Sequence, residues 1–197
     1  MFLIRWLIAL VIFATILPLS WTILVDTWGQ VRGLMPHGGA IAIGIAAGIA
    51  WIIWRKPNWL LHTLVHEGCH AIACLLLGVK IHNFQASDGK GGVVIHSRTD
   101  PIRTTIIALA PYTLPLLLGI VLLLRWAIRD PAWAPWLSGL AGFFYVDHLH
   151  GLYHNIRLNF WGKQADLSRA SKPLSIAAIS SALCLTTAFT LWVLYEA

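Results

Sequence analysis

Charge is what this sequence has least of. Of its 197 residues only 11% are Asp, Glu, Lys or Arg, and glutamate occurs just twice, at Glu67 and Glu196. A soluble domain of this length needs far more polar surface, and a chain that is 58% hydrophobic lacks it. Cysteine is scarce too. Cys69, Cys74 and Cys184 all fall inside apolar runs, which excludes a secreted disulfide framework and leaves packing as their role. No internal repeat or low-complexity linker interrupts the chain, so residues 1–197 read as a single transmembrane domain. The first apolar run continues through Leu24 and Val25 without a small-x-small cleavage site, so a retained helix is expected there and not a signal peptide.

What the sequence does have is long apolar runs. Crossing about 30 Å of hydrocarbon takes roughly 20 residues, and the stretches 3–25, 58–79, 102–128, 132–156 and 174–195 are of that order. A sixth, 38–54, is shorter and rich in Gly and Ala. The expectation is an all-α integral membrane protein with about six transmembrane helices. Several of the 11 Trp residues stand near the ends of these runs, namely Trp28, Trp54, Trp59, Trp126, Trp133 and Trp161, as an aromatic belt at two interfaces would require.

The net charge of +6 then speaks of topology and not of nucleic acid, which is not expected as a partner. If six spans alternate, Arg5, Arg55, Lys56, Arg125 and Arg129 lie on the side of the N-terminus and nine Lys or Arg lie opposite. The positive-inside rule places both termini on the non-cytoplasmic side and the 80–100 and 157–172 loops in the cytoplasm. Between the second and third long runs, 79–97 carries β-branched and aromatic residues around Asp88-Gly89 and Gly91-Gly92. Glycine supplies the positive φ of a tight turn, so a β-hairpin is expected there. Asp100-Pro101 and Asp130-Pro131 each set a capping carboxylate before a first-turn proline and mark helix starts.

Against this apolar background, "HTLVHEGCHAIACLLLGV" (62–79) holds His62, His66, Glu67 and His70 on little more than two helical turns. Ionisable groups inside a membrane cost at least a few kcal/mol each and mark function by default. His66-Glu67-Gly68-Cys69-His70 is HExxH. On a helix the two histidines project from one face and can share a metal ion. Glu67, about 100° round, can reach a water on that ion without ligating it. Zinc lowers the pKa of its water to about 7, and the carboxylate can take the proton during attack. A catalytic zinc needs a third protein ligand. Beyond the motif the candidates are Asp147, His148, His150, His154 and Asp166, and residue chemistry alone does not choose among them. Asp147, His150 and His154 share one helical stripe.

With these residues in place, the sequence resembles the site-2 protease-like intramembrane zinc metalloproteases. The resemblance runs over roughly 58–170 and rests on four features in order: HExxH within an apolar helix, a Gly-rich strand-like segment at 79–97, "ALAPY" (108–112) where the family has a small-Gly-Pro stretch, and "HNIRLNFWGKQAD" (154–166). It implies a three-helix metalloprotease core at 58–170 with the remaining spans added around it. It also implies Zn2+ as cofactor, His66, His70 and Asp166 as its ligands, and Glu67 as the catalytic base. Asp166 is followed by Leu167 where the family has Gly, and Asp147 is the rival ligand. The resemblance gives the hairpin a task, because an exposed strand edge can pair with an unwound substrate backbone. Asn155 and Asn159 either bind substrate backbone or cap the helix end.

The function so implied is a zinc-dependent intramembrane endopeptidase acting on a transmembrane or membrane-associated protein within the lipid bilayer. Two other classes use the same histidines: a haem-binding electron carrier, and a metal or proton transporter with an intramembrane His/Asp site.

Overall fold

The computed structural model describes residues 2–31, 35–54, 59–87, 91–160, 167 and 170–196. The chain is mostly helical, with one small antiparallel hairpin. In order the elements are α1 (Phe2–Val11), a π-helical turn (Ile12–Ile16), α2 (Leu17–Val31), α3 (Gly38–Trp54), α4 (Trp59–Leu76), β1 (Ile81–Ser87), β2 (Gly91–His96), α5 (Pro101–Thr113), α6 (Leu116–Ala127), α7 (Ala134–Phe160) and α8 (Lys172–Glu196). The expected hairpin is there, with Phe84 opposite Val94, Gln85 opposite Val93 and Ala86 opposite Gly92. Gly91 takes the positive φ, +78°. The expected turn residues Asp88 and Gly89 lie outside the described residues.

Among the described residues, two helices are long and apolar enough to cross a membrane, Trp6–Val31 and Lys172–Glu196, and a third span arises if α5 and α6 are counted together. Six straight spans are therefore not what length and composition support. The expected single span at 102–128 is a pair bent by 73°. Its cause is local. Pro115 pushes the preceding residue out of the helical region, and Leu114 is extended at φ −102°, ψ 110°. Helix α7 is long enough, but its second half carries Asp147, His148, His150, His154, Asn155, Arg157 and Asn159, which take it out of the apolar class.

Helices α3 and α7 pack through glycine. A Cβ on Gly44 would overlap the Gly139 backbone, one on Gly48 would stand 3.1 Å from Phe143 O and Val146 Cβ, and one on Gly142 would stand 2.6 Å from Ile41 O. Small residues let helix backbones approach this closely. The register rises together on both helices, so α3 and α7 run parallel. Six alternating spans would set 38–54 and 132–156 antiparallel, because two further spans separate them. The parallel pair does not fit a strict alternation of six spans, the arrangement from which the orientation of the termini was inferred.

Leu118, Leu122, Ala141 and Val193 join α6, α7 and α8 in one buried cluster, and Cys69, Cys74, Ile107 and Ala110 join α4 to α5 in another. The three cysteines are free, Cys69 and Cys74 buried, in line with a packing role. Trp28, Trp54, Trp126 and Trp133 are all exposed, as belt residues are, and large apolar side chains such as Leu10, Leu19 and Trp21 face outward along α1 and α2. Asp100 caps α5 as expected. Its Oδ1 accepts from Arg103 N and Ile102 N at 3.0 Å each, and the Arg103 amide first, then that of Ile102, holds the carboxyl below the usual carboxylate range.

Candidate active site

Helix α4 presents two adjacent stripes, because residues four apart stack on one face. One carries His62, His66 and His70, and the other carries Thr63 and Glu67. The rings of His66 and His70 lie with centroids 5.0 Å apart at 77°. His70 is buried, and its Nδ1 stands 2.7 Å from the carbonyl oxygen of Ile107 on α5. A carbonyl can only accept, so Nδ1 carries the proton and Nε2 keeps its lone pair. This is the arrangement that fixes a metal-binding histidine from behind. Cys69 and Ala73, on the side of α4 toward α5, pack with Ile107 and Ala110 and hold the two helices at this distance.

Glu67 faces the hairpin. It is buried, 7% exposed, and β2 lies directly against it. A Cβ built on Gly92 would meet Glu67 Cγ at 2.5 Å, Gln85 O at 2.8 Å and Thr63 Cγ2 at 2.8 Å. Gly92 is thus required by close approach and not by the positive φ that the sequence suggested for it. Glycine inside a strand is the signal for such an approach, and it was present to be read.

The histidine stripe borders a cavity of about 210 Å³. Its walls come from α4, from the α5–α6 break at Pro111–Leu118, from α3 at Trp51 and from α7. His62 and His66 line one side; Asp147, His148, His150, His154 and Asn155 line α7 opposite. The kink therefore does more than shorten a span, since it opens room beside the motif. Tyr112, the last residue of "ALAPY", is buried with its ring centroid 6.0 Å from that of His66. The motif "ALAPY" includes Tyr112, but neither its place beside His66 nor the Ile107 carbonyl had a signal in the sequence, because both depend on how α5 lies against α4.

The structure brings the rings of His66 and His70 together, with Glu67 on the adjoining stripe against Gly92. Among the described residues no group of three His, Cys, Asp or Glu converges as a metal site, so Asp147, His148, His150 and His154 reach the cavity without completing one with the motif pair. Asp166 lies outside the described residues. Its neighbour Leu167 is buried in the same cluster as Tyr112, Leu109 and Leu152. Asn155 and Asn159 are both buried, and Asn159 Nδ2 donates to Asn155 O at 3.0 Å. Asn155 lines the cavity, while this bond ties Asn159 to its own helix.

Two of the donors that a zinc ion takes, the motif imidazoles, stand at a compatible separation. Two imidazoles on one tetrahedral ion at Zn–N distances of about 2.0–2.1 Å have ring centroids about 5 Å apart, which is the separation of His66 and His70.

The model of one protein family, described as Peptidase M50B-like, matches residues 38–150. That range contains the motif, the hairpin, the kinked pair and α7 as far as His150. It begins with α3, ahead of the core expected at 58, and stops short of Asn155, Asn159 and Asp166. Among curated proteins and among solved structures, nothing matches the chain.

Proposed function

The chain belongs to the peptidase M50B-like family, and on that premise we propose that it is a zinc-dependent intramembrane endopeptidase. The observation that carries the proposal is the motif pair: two imidazole rings 5.0 Å apart on one helix face, one of them held through Nδ1 by the Ile107 carbonyl. His66 and His70 hold the ion, and Asp166 is the third ligand. Burial of Leu167 with Tyr112, whose ring adjoins His66, supports a chain returning toward the site at that point. Asp147 is the competing ligand. Bound zinc supplies a Lewis acid that activates water and polarises the scissile carbonyl.

The rest belongs to the chain. Glu67, pressed under Gly92, takes the proton of the attacking water and delivers it to the leaving amine. The hairpin offers a strand edge next to Glu67, with which an unwound substrate segment pairs. The cavity side chains exclude bulk water from the motif, and Asn155 binds substrate backbone. The substrate is a transmembrane or membrane-associated protein, cut within the bilayer. The haem-carrier and transporter readings use the same histidines, and the peptidase family match favours neither.

Metal analysis of the protein, purified without chelators, tests this reading. We expect about one tightly held zinc per chain, sharply weakened by Asp166→Ala and much less by Asp147→Ala. A wild-type protein without zinc would overturn the proposal, and the reverse ranking of the two variants would move the third ligand to Asp147.

A further inference from the structure

A second pair of imidazoles meets one helical turn away from the motif. His62 on α4 and His154 on α7 have ring centroids 5.2 Å apart at an interplanar angle of 88°. They lie on helices remote in sequence, so no spacing rule pairs them. Their separation matches that of His66 and His70, 5.0 Å, and both agree with about 5 Å for two rings on one tetrahedral ion. Both side chains are partly buried and line the cavity, where a bound ion would be sheltered yet reachable.

We propose that His62 and His154 form a second cation site, a two-histidine clamp for a borderline divalent metal such as zinc. Imidazole pairs suit zinc, copper and nickel, whereas magnesium and calcium prefer oxygen donors. The clamp stands four residues before His66, about 6 Å along the α4 axis, so it is adjacent to the motif site and separate from it. Among the described residues no third His, Cys, Asp or Glu completes it. Water fills its remaining positions, and it binds metal more weakly than the motif site. An ion there ties α4 to α7 across the cavity, so metal in excess of one per chain closes the space a substrate must occupy.

Zinc titration of the full chain in lipid nanodiscs, followed by calorimetry, tests the clamp without any measure of proteolysis. The wild type should show two classes of site, the second at least about ten-fold weaker than the first. The His66→Ala/His70→Ala protein should keep only the weak class. His154→Asn and His62→Asn should each lose the weak class and keep the tight one, which shows that these variants are folded. Cu2+ bound to the His66→Ala/His70→Ala protein should show two imidazole nitrogens by electron spin resonance, and none of its signal should survive His154→Asn. A wild type that lacks the weak class, or a weak class indifferent to His62 and His154, would overturn the proposal. Loss of the tight class alone would count against the peptidase reading and leave the clamp standing.

Discussion

Glu67 is one of two glutamates in the chain and the only one on a buried helix face. Its neighbour across the site is a glycine backbone, and the fit leaves no slack. Gly92→Ala would set a methyl group 2.5 Å from Glu67 Cγ and 2.8 Å from the Gln85 carbonyl oxygen. The carbonyl belongs to the paired strand, so the strand itself must lift from α4. We expect zinc content to stay unchanged while cleavage falls about ten- to a hundred-fold, the usual result of moving a catalytic group by an ångström or less. Cleavage at the wild-type rate would show that the hairpin does not position Glu67. At this scale the pairing of His66 and His70 was legible, because it depends only on helical periodicity. Tyr112 and the Ile107 carbonyl were not, because a side chain or carbonyl acquires its role here from the helix that happens to lie against it.

At the scale of elements, the hairpin was readable because glycine pairs and β-branched residues act locally. The kink at Leu114 was not read, although Pro111 and Pro115 stood in the sequence. The run 102–128 is largely apolar, Arg103 and Arg125 excepted, and a hydropathy profile carries no trace of a bend. The structure decides for the backbone, and the kink supplies part of the cavity wall. The α3–α7 seam makes a sharper demand. Gly44→Ala drives its methyl into the Gly139 backbone, which cannot swing aside as a side chain can. Overpacking of this kind costs about 1–3 kcal/mol, so the variant should unfold at lower temperature or denaturant in detergent. Gly29→Ala, with nothing within 4 Å of the new methyl, is the control. Equal stability of the two variants would contradict the seam.

The whole molecule departs furthest from what the sequence implied. Composition established a membrane protein, and the exposed apolar side chains of α1 and α2 agree with it. Counting apolar runs assumed that each run is one straight crossing. Two facts break that assumption: α5 and α6 turn on each other by 73°, and α3 lies parallel to α7. Hydropathy cannot reveal either, since it carries neither direction nor bend. Both departures bring polar residues to one cavity, with the motif stripe on one wall and the α7 polar stripe on the other. The most direct test of the account compares wild type with Glu67→Gln, reconstituted in vesicles at equal zinc occupancy, on a membrane-embedded reporter peptide. The substitution keeps the size of the side chain and removes the base. The account predicts cleavage by the wild type and a loss of at least about two orders of magnitude in the variant; cleavage by Glu67→Gln at close to the wild-type rate, or none by the zinc-loaded wild type, would contradict it.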